Sequence, residues 1–499
     1  MSKATLVWRM VLTLWVAVPT LAAATEAQLH WYVVNRSPSY TLAAQGDPWS
    51  GDGVAVTLAR TPEGNEPWGS GAAGIDARPF AGRDVILSAD VATTGGAANA
   101  AIWLRADSAS PLGRAFQTTQ GHPVNVDSAA LARSVRLFIP RDATEVVVGV
   151  LLTGPGVAHF NHLRLAVADP ERTAIDAPAL LDEALALIRA HALNAGNVDW
   201  DAFRKEVDPH LDKGDPAYVA YPAIRYAITK LADGHSFFMD PTRATAESTV
   251  DGTRFPPVVK LLPGGVGYVR LPGMTGPVEA RQYYAETVAS AIAALAPSVT
   301  GGWIVDLRED TGGSVPPMLA GVRALLGSGL LGGYRTPARP DQPIHADRGL
   351  GFPVKPTMDL THEPVAVLLG PHTASAGEGV AVAFHGRPAT RSFGLPTFGQ
   401  ANGNAVFPLK DGSSVVLKSA IAVDRSGVVF GKQVLPDERV EGDAAVDRAK
   451  AWLAQQVPRA RAFVGLLRAS CSPWVTGVAY GLRLRHVRNQ PNANVQTMA

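Results

Sequence analysis

The sequence predicts a multidomain protein: an all-β N-terminal domain of sandwich or jelly-roll type, a short helical subdomain, and a layered α/β core. Three observations carry this. Residues 28–168 contain short apolar runs separated by Gly, Pro, Asn and Asp clusters, and many short strands in series favour a sandwich or jelly roll. Residues 172–245 place apolar side chains at helical spacing. From 255 to 450, strand-like and helix-like stretches alternate, the pattern of a layered α/β unit. The length of 499 residues suits two to four domains at about 150 residues each.

The β-domain is read from strand-like runs at 54–58, 84–91, 101–105, 134–139 and 145–152. In the helical part, Leu181, Ala184, Leu185 and Ile188 share one face. Asp176 or Ala177 marks the start of that helix, with Pro178 near its first position. Asp199 is the candidate cap of a second helix, and a third runs from Tyr221 to Leu231 with Pro222 in its first turn. Gly234 is expected to end it and to leave His235 on a turn. The core reads as a strand at 267–271, a helix at 278–295, a buried strand at 302–308, a Gly-rich loop at 310–314 and a helix at 317–326. A buried strand at 364–370 then leads into a helix, followed by strands at 403–409, 413–423 and 427–430.

The N-terminal 24 residues have the make-up of a secretory signal peptide. Lys3 and Arg9 precede an apolar core, Met10 to Val18, and Leu21-Ala-Ala-Ala24 offers small residues for cleavage. That core is shorter than the roughly 20 apolar residues of a membrane span, so no stable membrane insertion is expected after cleavage. A secreted or periplasmic location follows as the expectation. Cys471 is the only cysteine, which excludes an internal disulfide and a four-cysteine zinc site. The formal net charge of +1 gives no field favouring nucleic acid. Residues 457–499 are basic, carry no Asp or Glu, and read as a disordered tail. No cofactor or metal motif is evident.

The chemistry-bearing candidates lie in three separated segments. Ser375 falls on a tight strand-to-helix turn, Pro371-His-Thr-Ala-Ser-Ala-Gly-Glu378, which exposes a hydroxyl and directs backbone N–H groups outward. The bland reading of Ser375 is a helix N-cap. A hydroxyl needs a base, and His235 is the natural one because imidazole titrates near neutral pH. Thr311-Gly-Gly-Ser314 follows a buried strand, and glycines let N–H groups approach a developing oxyanion closely. Taken singly, His235 is also readable as a packing histidine and the Gly-Gly turn as an ordinary connection.

Five motifs in order, Leu231-Ala-Asp-Gly-His-Ser236, Val305-Asp-Leu-Arg-Glu-Asp-Thr-Gly-Gly313, Thr373-Ala-Ser-Ala-Gly-Glu378, Thr397-Phe-Gly-Gln400 and Leu435-Pro-Asp437, resemble the tail-specific protease and tricorn-core family of serine peptidases. The resemblance covers residues 175 to 450. It implies a crotonase-like (ClpP-like) core, a helical N-terminal subdomain, and peptide hydrolysis through a serine acyl-enzyme. It also implies Ser375 as nucleophile, His235 as base, and an oxyanion hole from the N–H groups of Ala376 and of Gly312 or Gly313. The lysine of the tail-specific branch is replaced by Gln400, so the histidine-containing branch is the nearer one. Ser236, Glu378, Asp424 and Gln400 are the candidates for orienting the histidine. Glu378 is equally readable as a helix cap, Asp424 as a partner of Arg425, and Lys432 as a solvated loop lysine.

The expected partner is a peptide or protein substrate, in an exported serine-type endopeptidase. A different class of function stays open: a catalytically inactive ligand- or glycan-binding protein on a peptidase scaffold. Trp31, Trp49, Trp68 and Trp103 are candidates for stacking on a sugar, or for ordinary packing in the β-domain. No PDZ-like insertion separates His235 from the core, which argues against capture of a substrate C-terminus by such a domain.

Overall fold

The computed structural model describes residues 29–456 except 97–98, 111, 113, 121–122, 126, 170–172, 250–254, 337–338, 348–349 and 356–357. The signal peptide, Cys471 and the basic tail read from the sequence lie outside the described residues.

Residues 31–168 form two antiparallel sheets around one apolar core. One runs, in spatial order, Trp31–Val33, Trp68–Asp76, Ala143–Thr153, Asn99–Ser108, Ala115–Thr118, with Val124–Asn125 also on Asn99–Ser108. The other runs Tyr40–Gly46, Val54–Arg60, Val157–Ala168, Asp84–Thr94, Leu131–Phe138. Alternation explains the packing: Val85, Leu87, Ala89 and Val91 point inward from one sheet, and Ile102 and Leu104 from the other. Each such fully buried valine, leucine or isoleucine side chain contributes about 1.5–3 kcal/mol.

The helical subdomain follows. Helix Ala177–His191 starts at Asp176, whose carboxyl accepts from Ala179 N, with Pro178 in the first turn. Asp199 caps Trp200–Val207 in the same way. Helix Tyr221–Lys230 ends earlier than expected: Ala232, not Gly234, is the first residue beyond it in the left-handed region, at φ 48°. Gly234 is also left-handed, at φ 65°, and the two bends turn the chain toward His235. Two part-buried anchors join this unit to the sandwich. Arg141 makes paired hydrogen bonds to Asp215 at 2.9 and 3.0 Å, and the Tyr218 hydroxyl donates to Asp84.

The core contains two sheets. The first runs Val258–Leu262, Val266–Arg270, Trp303–Asp306, Val365–Leu369, Thr390–Gly394, Glu438–Arg439, parallel from Val266–Arg270 onward. Trp303–Asp306 and Val365–Leu369 are buried throughout, as strands covered on both faces must be. Trp303, Val305, Val365 and Val367 face helices Val278–Leu295, Val315–Gly321 and Ala376–Phe384. Ile304, Ala366 and Leu368 face a helix over 444–456 through Ala445, Ala449 and Leu453. The second sheet is antiparallel: Ser414–Asp424 pairs with Phe237–Met239, Leu330–Thr336 and Asn402–Pro408, and Leu330–Thr336 with Arg339–His345.

Two expectations are corrected here. The helix expected at 317–326 is two pieces, Val315–Gly321 and Arg323–Leu326, broken where Val322 leaves helical geometry at ψ 12°. Residues 427–430 make one bridge, Val423 to Val429, and not a strand, because Asp424 gathers the N–H groups of Ser426 and Val428 into a turn. The hairpin 330–345 and the strands 237–239 and 390–394 have no counterpart in the sequence reading.

Candidate active site

Parallel strands end together, so the loops after Trp303–Asp306 and Val365–Leu369 meet at one edge of the sheet. The first loop carries Gly312 and Gly313, the second Ser375. Ser375 sits at φ 51°, ψ −108°, a costly conformation for a residue with a side chain. Surrounding bonds hold it there. Its N–H donates to Glu378 Oε2 at 2.9 Å, its carbonyl accepts from Gly379 N at 3.0 Å, and Ala374 N donates to the Asp310 carbonyl at 2.9 Å.

His235 reaches this turn from the helical subdomain. Asp233 shapes its approach, accepting the N–H groups of His235 (2.9 Å) and Ser236 (2.8 Å). Asn404 Nδ2 donates to the His235 carbonyl at 3.0 Å. The imidazole then lies with Nε2 3.1 Å from Ser375 Oγ and Nδ1 against Asn402 Oδ1. An amide oxygen only accepts, so Nδ1 carries the proton and the Nε2 lone pair faces the hydroxyl. Burial lowers the His235 pKa from its ordinary 6.5, partly offset by the hydrogen bond to Asn402. A neutral imidazole beside a hydroxyl is able to take its proton.

The four orienting candidates stand elsewhere. Ser236 Oγ donates to Asp233 Oδ2 at 2.6 Å and accepts from Lys418 N. Asp424 is fully enclosed and bonds His385 Nδ1 at 2.6 Å, Ser426 and Val428. Glu378 is buried beneath the turn and accepts from Ser375 N, Gly399 N, Gln400 N and the Thr397 hydroxyl, which ties the serine turn to the 397–400 loop. Gln400 Nε2 donates to the Gly234 carbonyl at 2.7 Å, so it braces the backbone before His235. Lys432 is exposed. The group that faces Nδ1 is Asn402, which the sequence reading passed over. The available signal was a pair of amides, Asn402 and Asn404, at the start of a strand.

The two glycines differ. Gly312 N donates to Asp310 Oδ1 at 3.0 Å and is thereby occupied. The N–H groups of Gly313 and Ala376 make no hydrogen bond among the described residues, and both residues line the cleft beside Ser375. Gly313 is at φ 122°, and a Cβ there would fall 2.0 Å from the Met274 carbonyl oxygen. Asp310 lies under both turns with Oδ2 unpartnered, and burial pushes its carboxyl up to about 8 despite the bond from Gly312. Among the described residues no group of side chains is arranged to hold a metal ion, and no helix is long and apolar enough to cross a membrane.

Of the tryptophans named as sugar candidates, Trp103 is buried and its Nε1–H donates to Ser70 Oγ at 3.0 Å, while Trp31 packs on the sandwich core. Trp49 and Trp68 are exposed, and Trp49 stacks on Phe80.

Residues 265–440 match the model of peptidase family S41. The nisin-resistance protein of Lactococcus lactis subsp. lactis is 26% identical over 266 residues, covering 52% of this chain and 81% of that protein. The chloroplastic carboxyl-terminal-processing peptidase 2 of Arabidopsis thaliana is 29% identical over 155 residues, 31% of this chain and 28% of that protein. The structure of a lipoprotein from Streptococcus agalactiae superposes with a TM-score of 0.51 at 20% identity, covering 58% of this chain and all of that one, a likeness of fold.

Proposed function

We propose, for a chain whose α/β core belongs to the tail-specific-protease-like peptidase family S41, that Ser375 is the nucleophile of an exported serine-type endopeptidase with His235 as its base. The family makes peptides or proteins the substrates. The observation that carries the mechanism is the line from Asn402 Oδ1 through the His235 ring to Ser375 Oγ, with Nε2 and Oγ 3.1 Å apart.

In this mechanism His235 Nε2 takes the hydroxyl proton as Ser375 Oγ bonds to the scissile carbonyl carbon. The negative oxygen accepts from the N–H groups of Gly313 and Ala376, which need no rearrangement at that moment. The imidazolium, its Nδ1–H held by Asn402, returns the proton to the leaving amine as the C–N bond breaks. Water, deprotonated by the same nitrogen, then cleaves the Ser375 ester and restores the serine. Gln400, Glu378 and Asp233 position these groups and do not take part in proton transfer.

Export is supported by the signal-like N-terminal sequence and by the lipoprotein among the fold relatives. The nisin-resistance relative makes nisin a reasonable first substrate to offer, beside a library of fluorogenic peptides. Cleavage that disappears in both Ser375→Ala and His235→Ala supports the reading. Cleavage that persists in Ser375→Ala overturns it.

A further inference from the structure

The cleft at Ser375 encloses about 590 Å³, and no Asp, Glu, Lys or Arg lines it among the described residues. A charged side chain entering it would lose water and gain no counter-ion. Val315, Leu319, Ile344 and Leu350 supply apolar walls. Polar groups of the cleft lining without a partner among the described residues include the Asn404 side-chain oxygen and the hydroxyl of Tyr334, on strand Leu330–Thr336.

The position of Tyr334 is set by close packing. A Cβ on Gly403, next to Asn402, would fall 2.9 Å from Tyr334 Cδ1, so the ring lies directly against that backbone. A Cβ on Gly379 would sit 3.6 Å from the hydroxyl oxygen. Gly379 follows Ser375 by one helical turn, about 5.4 Å along the axis. The hydroxyl therefore lies beside this helix about one turn beyond Ser375, and Tyr334 lines the cleft. It makes no hydrogen bond among the described residues. Burial pushes the phenol up to about 12, which keeps it a neutral donor.

We propose that the Tyr334 hydroxyl is the specificity-determining group of this cleft. It selects, at the residue whose carbonyl Ser375 attacks, a long uncharged side chain that ends in a hydrogen-bond acceptor, as glutamine does. The inference rests on the peptidase reading above. An acceptor at that depth satisfies the phenol O–H. A methionine or leucine of similar length strips it of water and leaves it unpaired, and sites built to bond a polar substrate group discriminate strongly against analogues that lack it.

The test is a set of peptides identical except for Gln, Met, Leu, Glu or Lys at the cleaved position, assayed with the wild-type protein and with Tyr334→Phe. The expected result is a kcat/KM for Gln at least about tenfold above Met and Leu in the wild type, with Glu and Lys lowest, and loss of the Gln-to-Met ratio in Tyr334→Phe. A purely structural role for the hydroxyl would lower all peptides together and leave that ratio unchanged, which overturns the inference. A wild-type preference for Met, Glu or Lys also overturns it. If no peptide is cleaved in a Ser375-dependent way, the peptidase reading itself fails, a result distinct from Ser375-dependent cleavage without the Gln preference.

Discussion

His235 turns its Nδ1 to the side-chain oxygen of Asn402, an uncharged amide on a strand 167 residues further along the chain. An amide fixes the tautomer and ring plane as a carboxylate does, but it adds no charge to stabilise the imidazolium. On the proposed mechanism the site would rely on orientation more than on charge, with burial lowering the proton affinity of His235.

Removing the orienting amide is expected to cost rate more than affinity. Asn402→Ala frees the ring to rotate and to carry its proton on the wrong nitrogen. A fall in kcat of about 10²-fold or more with a modest change in KM is predicted, measured by steady-state kinetics on a fluorogenic peptide.

The pH profile should follow His235. Burial disfavours its charged form, so the acid limb of kcat/KM is predicted below the ordinary histidine value of 6.5. Asn402→Asp places a carboxylate at Nδ1, which favours the imidazolium and moves that limb to higher pH. A limb that stays in place or moves down would contradict the assignment.

Asp310 gives a second, independent pH effect, on stability. Its carboxyl lies at about 8 in the fold against 3.8 ordinarily. Between those values the folded chain holds a proton that the unfolded chain has released, so this group lowers stability as pH rises across the window. Asp310→Asn keeps an acceptor for Gly312 N and removes the titration. The difference in Tm, variant minus wild type, is predicted to grow from pH 4 to pH 8.

Gly313→Ala tests the oxyanion loop. Its backbone is at φ 122° and a Cβ would strike the Met274 carbonyl, so the loop must shift and take the Gly313 N–H with it. Loss of one such donor corresponds to about 10²–10³ in kcat.

Arg141→Ala should loosen the sandwich from the helical subdomain. Burial would raise the Asp215 carboxyl, yet the Arg141 hydrogen bonds hold it below the usual range. That contribution is present above about pH 4 and is lost as pH falls through the depressed value. Because the Arg141 side chain is 40% exposed, the expected loss is modest, about 1–2 kcal/mol. Thermal unfolding at pH 7 would show it.

The sequence made legible what depends on near neighbours. The caps at Asp176 and Asp199 work through the next three residues, and the buried runs at 303–305 and 365–369 are apolar throughout. Ser375 and the Gly312–Gly313 loop were visible because each stands on a short, recognisable turn. Asn402 was not, because an amide at the head of a strand takes on a role only when a distant histidine is folded against it. The same holds for Asp424, whose sequence suggests several partners and whose fold supplies His385. The hairpin at 330–345 escaped because its Gly333, Pro340 and Pro343 break the alternation that marks a strand. Strand Thr390–Gly394 has one buried large apolar side chain, Phe393, and its place is set by pairing with Val365–Leu369.

The most direct test of the central claim is fluorophosphonate labelling of the well-folded protein, with the modified residue located by peptide mass spectrometry. An activated serine predicts covalent label on Ser375, sharply slowed in His235→Ala and absent in Ser375→Ala. Label on another residue, or none on Ser375 in a protein that melts cooperatively, would contradict the Ser375–His235–Asn402 account.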